Sequence, residues 1–506
     1  MTRSRRVLGR NVVANAAGTA GALVFALCFV PVYIRELGPE AYGLVGLFVT
    51  LLALASVLDL GLSATLNREL ARHGAAETGA SESRRLVRVL QRLYWGVALL
   101  IGLVVWVAAE PIASHWLRFD ALSHRTTRNA LRWMAAVAVL QWPQSLYGGG
   151  LLGLERHVLY NAIKLTFAAL RGGGAALVLL YVAPTIEAFF AWQLIAAALH
   201  TSCLAVALHR SLPRTAVVHR VGWDVLRGRW RFAAGVGSIA LTTTVLTQLD
   251  KIVLTKLLPL ASFGYYAFAA TVGSAMTYLA QPFFQAFFPR LSHLHARGAE
   301  HELAHTYHRG CQWVAGAVVP VALTIAFFTD EVLLAWSGDP ALVRPTRLLV
   351  RLLVLGWALN GLVTLPYAMQ LAAGWTRLAL VKTTVAIVLL VPALLTLVPL
   401  YGAAAAAGCR VALNLGYLLV EPPIMHRRLL RGELRTWWGR SVARPVLAGL
   451  AMTVALRAVV PVARNRIALV LELGAIYLLV LAAVVVVTPE LRSVCRAGLR
   501  RVLPRA

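Results

Sequence analysis

Charged residues are scarce in this chain. Only 14% of its 506 residues are Asp, Glu, Lys or Arg, whereas 59% are hydrophobic and the mean hydropathy is +0.71. A water-soluble domain carries about 25% charged residues, so the chain lacks the side chains that a water-covered surface requires. This scarcity excludes a soluble fold and predicts a protein that spans a membrane.

Cysteines and catalytic motifs are also few. The five cysteines are far apart and form no CxxC spacing, which excludes a zinc ribbon or a disulfide framework. The sequence contains no GxxxxGK[ST] phosphate loop. A segment that we expect to be an inward loop, residues 290–309, contains five histidines: His293, His295, His301, His305 and His308. His301 and His305 have the i, i+4 spacing of a metal pair on a helix, but no third ligand is well placed, so we expect all five side chains to be solvated. We predict no catalytic residue, metal or cofactor.

The abundant charge is positive, and the formal net charge is +28. A nucleic-acid-binding protein collects such charge on one soluble face. Here the basic residues occupy short segments between apolar runs, so we expect no nucleic acid partner. Only four of the basic residues are Lys, and this strong preference for Arg indicates the GC-rich genome of a bacterium.

Long apolar runs dominate the rest of the chain. About 20 apolar residues in a helix cross the hydrocarbon of a bilayer. We predict an all-α polytopic membrane protein with about 14 transmembrane helices. The predicted spans cover residues 11–34, 41–66, 93–109, 129–151, 158–181, 187–208, 233–255, 262–289, 310–328, 345–372, 378–397, 403–425, 445–463 and 467–488.

The basic residues predict the orientation of these spans. About two thirds of them lie on the side where the N-terminus lies, and the large clusters at 68–92, 210–231, 427–444 and 492–505 are all on that side. Because Lys and Arg concentrate in cytoplasmic loops, we expect both termini to be cytoplasmic in a bacterial inner membrane. The basic start followed by a long apolar run predicts an uncleaved anchor.

The chain also contains an internal repeat. Shifting it by 221 residues superposes spans 1–6 on spans 7–12 and aligns Gly43 with Gly264 and Arg156 with Arg377. An even number of helices gives both halves the same orientation in the membrane. We predict a six-helix N-lobe at 1–208, a cytoplasmic linker at 209–232 and a six-helix C-lobe at 233–425. Residues 426–506 add helices 13 and 14 and a basic tail.

Ionisable side chains inside spans indicate functional sites, because they usually face a wet cavity or the interior of the helix bundle. In span 7, Gln248 and Lys251 belong to a threonine-containing stripe at helical spacing, and Asp250 lies beside it. The stripe favours a cavity lining. The alternative is a local Asp250–Lys251 pair or a lysine that extends outward to the membrane surface.

Five further cations lie within other spans: Lys164, Arg171, Arg351, Lys382 and Arg410. A cationic cleft suits an anionic cargo such as a phosphate, so we predict that these residues, with Lys251 and Gln248, bind substrate. The alternative is that they neutralise membrane carboxylates, namely Asp59, Glu187, Glu421 and Glu472. Asp59 and Asp250 are the candidates for ion coupling, although pairing of Asp59 with Arg68 or with a span-1 amide is at least as compatible with the sequence.

Several short stretches resemble a known family. Residues 35–43 (RELGPEAYG), 58–62 (LDLGL) and 67–70 (NREL), with 248–253 (QLDKIV) and 264–267 (GYYA), resemble the polysaccharide-transporter flippases. Those proteins belong to the multidrug/oligosaccharidyl-lipid/polysaccharide exporter superfamily. The resemblance implies two six-helix lobes around a cavity and alternating-access transport of a polyprenyl-pyrophosphate-linked oligosaccharide to the outer leaflet. A polysaccharide polymerase or assembly complex is a candidate partner.

Two other functions are alternatives to a flippase. An ion-coupled small-molecule exporter of the multidrug type would favour a more acidic and aromatic cavity. A membrane glycosyltransferase or polymerase would need catalytic carboxylates or a large loop, and the predicted outward loops are short. The cationic excess therefore favours the flippase.

The orientation is testable with topology reporters. Fusions after Arg92, Arg231 and Arg444 should all report the cytoplasm, because each follows a basic cluster that favours retention on that side. A periplasmic signal from any one of the three would contradict the arrangement of 14 spans.

Overall fold

The computed structural model describes residues 27–73, 79–213, 230–460 and 465–493, together with residues 18, 21, 24, 25 and 496. Within this part of the chain the regular structure is helical, and the single β-bridge joins Arg118 to Pro259. The prediction of an all-α fold is confirmed. Half of predicted span 1 and most of the predicted linker at 209–232 lie outside the described residues.

The described chain divides into two compact units, Met1–Gly264 and Tyr265–Ala506. The helices of the N-terminal unit are α1 Val30–Val57, α2 Leu62–His73, α3 Gly79–Pro111, α4 His124–Gln141, α5 Gln144–Gly153, α6 His157–Tyr181, α7 Ile186–Ser211 and α8 Trp230–Leu257. A π-helical turn, Ile112–Trp116, follows α3. The first residues of α9 Leu260–Ala296 also belong to this unit.

The C-terminal unit contains the rest of α9 and the following helices. They are α10 Glu300–Phe327, α11 Thr329–Ser337, α12 Pro340–Leu362, α13 Thr364–Ala372, α14 Thr376–Tyr401, α15 Ala403–Leu429, α16 Leu434–Thr436, α17 Arg444–Val459 and α18 Arg466–Val487, with a π-helical turn at Trp437–Ala443. These compact units group α8 with the N-terminal half. The division into repeat lobes at 208 and 233 stays a prediction.

Ten helices in the described part of the chain are long and apolar enough to cross a membrane. They overlap predicted spans 2, 3, 5, 6 and 9–14, although some begin well before the predicted boundary, such as Val30 against 41 and Ala80 against 93. The helices α8 and α9, of 28 and 37 residues, match predicted spans 7 and 8 in position. The multi-pass architecture is therefore established, and the total of 14 spans stays a prediction.

Two predicted spans of the N-terminal unit are interrupted. Span 2 was expected to continue to residue 66, but α1 ends at Val57, and a turn follows in which Leu60 and Gly61 adopt φ values of 46° and 75°. A positive φ is incompatible with a continuing right-handed helix. Span 4 is divided at Pro143, which has no N–H to donate to the preceding turn. Hydropathy alone does not detect such interruptions.

The C-terminal helices α17 and α18 pack against each other and against α10. Phe328 at the end of α10 forms a buried cluster with Ile476 and Val480 of α18. Outside this cluster, Arg457 of α17 forms an ion pair with Glu331 of α11, whose side chain is 8% exposed. Both apolar packing and a charge pair thus attach α17 and α18 to the C-terminal unit.

Two glycines that the repeat aligns, Gly43 and Gly264, allow α1 and the first turn of α9 to cross closely. A Cβ added to Gly43 would lie 2.6 Å from the carbonyl oxygen of Leu260, and one added to Gly264 would overlap the carbonyl oxygen of Pro39. Pro39 and Leu260 are themselves 221 residues apart. The contact is therefore reciprocal, as a contact across a two-fold axis would be.

A side chain at this crossing should destabilise the protein. We expect Gly264→Ala to cost about 1–3 kcal/mol, because its Cβ would meet backbone atoms that cannot rotate away. The apparent melting temperature of the detergent-solubilised protein measures this effect. Gly474→Ala in α18 is the control, since no heavy atom lies within 4 Å of its added Cβ. Equal melting temperatures for the two variants would contradict the tight crossing.

Candidate functional site

The polar stripe on α8 forms as predicted. Lys251 Nζ donates to Gln248 Oε1 at 3.1 Å, so the two side chains share one face. Asp250 is buried, and its Oδ1 accepts the Lys251 backbone N–H at 3.0 Å. Near the C-terminal end of α8, Thr255 accepts a hydrogen bond from the indole of Trp116. The role of Gln248, Asp250 and Lys251 in transport stays a prediction.

Lys164 and Arg171 lie seven residues apart on α6 and therefore on one side of it. Lys164 is half-buried and Arg171 is exposed. The glycines after Arg171 leave the helix unbroken and let neighbours approach it closely. A Cβ on Gly172 would lie 2.7 Å from the ring of Phe29, and one on Gly174 would overlap the indole of Trp192. This packing keeps α6 close to its neighbours at the level of Arg171.

In the C-terminal unit, Lys382 of α14 forms a partly buried ion pair. Its Nζ lies 2.7 Å from Glu421 Oε2 on α15, and the side chains are 18% and 1% exposed. The other oxygen of Glu421 accepts a 2.6 Å hydrogen bond from Gln370 Nε2. The Lys382 ammonium also lies over the rings of Tyr367 and Tyr417, at 5.3 and 4.6 Å from their centroids. Neutralisation of a membrane carboxylate, the alternative interpretation, therefore describes Lys382.

Arg410 and Arg351 have different surroundings. Arg410 on α15 is buried, and its guanidinium lies 4.9 Å from the ring centroid of Trp357 on α12. Arg351 on α12 donates to Thr329 Oγ1 at 3.1 Å and lies 3.8 Å from Asp330 Oδ1. Arg351 and Asp330 are each 40% exposed, so this pair is much less buried than the Lys382–Glu421 pair.

The candidate cations occur at different depths along their own helices. At about 1.5 Å per residue, Lys164 and Lys382 lie about 10 Å from the N-terminal ends of α6 and α14, which the predicted topology places at the cytoplasm. Lys251 lies about 10 Å from the C-terminal end of α8 and Arg410 about 10 Å from the N-terminal end of α15, and the predicted topology places both of these ends on the outer side. Arg171 is near the middle of α6. On that topology, positive charge would be available at different depths within each unit.

Asp59 lies in the turn between α1 and α2 and receives hydroxyl donors. Ser63 Oγ donates to it at 2.7 Å, Ser145 Oγ donates at 3.4 Å, and the Tyr94 hydroxyl makes a further short bond. Arg68, the cation suggested as its partner, instead forms an ion pair with Glu69. Asp59 is therefore held by hydrogen bonds from three hydroxyl groups. Its role in ion coupling stays a prediction.

Glu40 makes a structural contact that the sequence analysis did not predict. It lies in the RELGPEAYG stretch, is buried, and accepts the backbone N–H groups of Asp120, Ala121 and Leu122 at 2.8–2.9 Å. The carboxylate thereby connects the loop that precedes α4 to α1 by hydrogen bonds. Its position directly after Gly38-Pro39, an interruption in α1, was the available signal.

Two of the histidines expected to be solvated have carboxylate partners. His308, whose side chain is 12% exposed, lies 2.9 Å from Glu433, and His305 lies 3.6 Å from Glu490. Both histidines belong to α10, because α9 continues to Ala296 and α10 begins at Glu300, within the segment expected to be a loop. The expectation of solvated side chains is therefore wrong for His308.

The fold is that of transporters of the multidrug/oligosaccharidyl-lipid/polysaccharide exporter superfamily. The chain superposes on the lipid II flippase MurJ in its inward closed conformation with a TM-score of 0.67, 11% identity, and coverage of 98% of this chain and 99% of MurJ. An inward-facing multidrug resistance transporter of the MATE family gives a TM-score of 0.68 and 13% identity, with coverage of 82% and 96%. These similarities establish the fold alone.

Sequence comparison establishes the family. Residues 8–295 match the family described as "Polysaccharide biosynthesis protein", and the chain belongs to this family. A Shigella flexneri protein described as a candidate O-antigen transporter is 20% identical over 369 residues, covering 73% of this chain and 86% of that relative. The predicted family is confirmed: this is a multi-pass membrane transporter, and its family and fold neighbours are transporters and flippases rather than enzymes.

The Glu40 contact yields a direct test. Glu40→Ala should free the backbone around 120–122 and destabilise the protein by about 1–3 kcal/mol, because three backbone N–H groups lose their acceptor. A cysteine at Ala121 should then react faster with a membrane-impermeant maleimide. Glu36→Ala is the control, since Glu36 forms only an exposed pair with Arg35. An unchanged reaction rate in Glu40→Ala would show that the contact does not order the loop.

Proposed function

We propose that this protein is a flippase that translocates a polyprenyl-pyrophosphate-linked oligosaccharide from the cytoplasmic to the outer leaflet of the inner membrane. The observation that carries the proposal is the series of cations embedded in spanning helices: Lys164, Lys382, Arg171, Lys251 and Arg410. Relatives described as an O-antigen transporter and a lipid II flippase support the same substrate class.

Electrostatics favours an anionic cargo. A charge inside a membrane is costly and is usually retained for a function. A pyrophosphate offers several acceptor oxygens, which suit the forked donors of Arg and the compact charge of Lys. Because the cations lie at successive depths of their helices, the headgroup could exchange one contact for the next as it crosses. The prenyl chain would remain in the bilayer, and the sugars would pass through a polar cavity.

The proposed mechanism is alternating access by rocking of the two repeat lobes. Lobes with the same orientation in the membrane can rock about a shared axis along the membrane normal. Asp59 and Asp250 are the proposed ion-coupling groups. A polysaccharide polymerase or assembly complex would receive the product on the outer side.

Gene deletion with complementation tests this function. The deletion strain should accumulate lipid-linked oligosaccharide in the cytoplasmic leaflet and lose surface polysaccharide. The wild-type gene should restore export, whereas Lys251→Glu and Arg410→Glu should lower it by about 100-fold or more, because a carboxylate repels the pyrophosphate. Lys251→Gln and Arg410→Gln should give intermediate losses. The measurement is surface polysaccharide per amount of transporter in the membrane.

The control reversal is Arg290→Glu, at an exposed cation near the cytoplasmic end of α9. This variant should export normally. Full export by both the Lys251 and the Arg410 reversals would overturn the proposed site. Unchanged lipid-linked oligosaccharide in the deletion strain, together with increased drug sensitivity, would instead favour a multidrug-type exporter.

A further inference from the structure

The Lys382–Glu421 pair is asymmetric in its access to solvent. The Lys382 side chain is 18% exposed, whereas that of Glu421 is 1% exposed and lies behind the ammonium. An anion that enters from the accessible side therefore reaches Lys382 first. Glu421 and the entering anion would compete for the same ammonium, and two negative charges around one partly buried cation repel each other.

Gln370 presents a hydrogen-bond acceptor to a protonated Glu421. Its side chain is fully buried and donates through Nε2 to Glu421 Oε1, while its own Oε1 has no hydrogen-bond partner among the described residues. A buried acceptor without a donor costs free energy. If Glu421 carried a proton, its new O–H could donate to this amide oxygen. The carboxylic acid and the amide would then form a closed pair of two hydrogen bonds.

We propose that Glu421 is a built-in competitor for the substrate's pyrophosphate at Lys382, and that binding of the pyrophosphate is coupled to proton uptake by Glu421. This inference rests on the proposed flippase function. In the exchange a phosphate oxygen replaces Glu421 Oε2 on the Lys382 ammonium. One proton from water adds to Glu421, which becomes neutral and turns to Gln370. No covalent bond to carbon or phosphorus forms or breaks.

The position along the helix suits a loading site. Lys382 lies six residues after the start of α14, about 9 Å from its cytoplasmic end in the predicted topology. A lipid-linked pyrophosphate in the inner leaflet would meet Lys382 before it met Arg410. The aromatic rings of Tyr367 and Tyr417 hold the ammonium in place whether or not Glu421 is ionised.

The groups around Glu421 limit what can titrate with it. Tyr307 of α10, Tyr367 of α13 and Tyr417 of α15 interact with it electrostatically, and Lys382 of α14 is its ion-pair partner. Tyrosine and lysine side chains ordinarily titrate near pH 10. These groups therefore keep one charge state between about pH 5.5 and 8.

The remaining helices add few groups that titrate. The α12 helix presents Asn360 to Asn414 of α15, and Arg410 of α15 stays charged throughout. His426 of α15 is buried and bonds the carbonyl of Pro422, one helical turn from Glu421. Beyond His426, at the cytoplasmic end, is the His308–Glu433 pair beside α16. The variant His426→Gln therefore distinguishes a contribution of this histidine to the pH dependence from that of Glu421.

The test measures binding of a short-chain prenyl diphosphate glycoside to the detergent-solubilised full-length protein. Its diester diphosphate keeps the same charge across the titration. Wild-type affinity should rise as pH falls from about 8 to 5.5, because protonation of Glu421 releases Lys382. Glu421→Gln should bind about tenfold or more tightly at pH 8 and lose the pH dependence. Lys382→Gln should weaken binding in both backgrounds.

Two matched variants serve as controls. Glu331→Gln removes the carboxylate of another ion pair in the same unit, and His426→Gln removes the nearest histidine. Both should bind with the wild-type pH dependence. The proposal is overturned if Glu421→Gln retains that dependence or if His426→Gln abolishes it. Wild-type protein that binds no glycoside at any pH would overturn the proposed function itself, and this inference with it.

Discussion

The hydrocarbon of a bilayer supplies no water to a polar group, so each charge that enters it needs a partner from the protein. The described residues follow this constraint closely. Glu40 accepts three backbone N–H groups, Asp59 accepts hydroxyl donors, Lys382 pairs with Glu421, and Arg410 lies over Trp357. Each of these contacts joins different segments of the chain. The charged residues therefore help to determine which helices lie together, as well as what the protein can bind.

The same constraint explains how the helices tolerate interruption. Where α1 ends, the carbonyl of Ala55 accepts the indole N–H of Trp142 at 2.9 Å. Trp142 lies at the interruption of predicted span 4, immediately before Pro143. Ala55 also accepts the backbone N–H of Leu58 at 3.0 Å, so the indole is a second donor to the same carbonyl. This hydrogen bond joins the two interruptions.

Hydropathy and charge were sufficient to predict the helical architecture, because the length of an apolar run and the side of a basic cluster are local properties of the sequence. The interruption at Pro143 had a visible signal. The left-handed turn at Leu60 had a weaker one, because only the adjacent Gly61 marks it. The family was predictable because its motifs lie in contiguous stretches, such as the one that contains Glu40.

The candidate site was only partly predictable. That Gln248 and Lys251 share a face follows from helical periodicity, and their hydrogen bond confirms it. The pairing of Lys382 with Glu421 joins residues 39 positions apart on different helices. The sequence identified Glu421 as one of four carboxylates that could pair with a cation. Which carboxylate pairs with Lys382 depends on how the helices pack, and no local sequence pattern predicts that. The Glu40 contact with the loop at 120–122 was missed for the same reason.

Burial distinguishes the two cation–carboxylate contacts that involve predicted substrate residues. Arg351 and Asp330 are each 40% exposed, so their contact contributes little. Removing the partner of a buried charge costs about 3–5 kcal/mol, and Glu421 is far more buried than Asp330. On the proposed function, a pyrophosphate would therefore displace Asp330 from Arg351 at little cost, whereas at Lys382 it would leave a buried, ionised Glu421 without its cation. Neutralisation of Glu421 removes that cost, and Gln370 already presents the acceptor for the added proton. For this reason, protonation should be linked to substrate binding at Lys382 and not at Arg351.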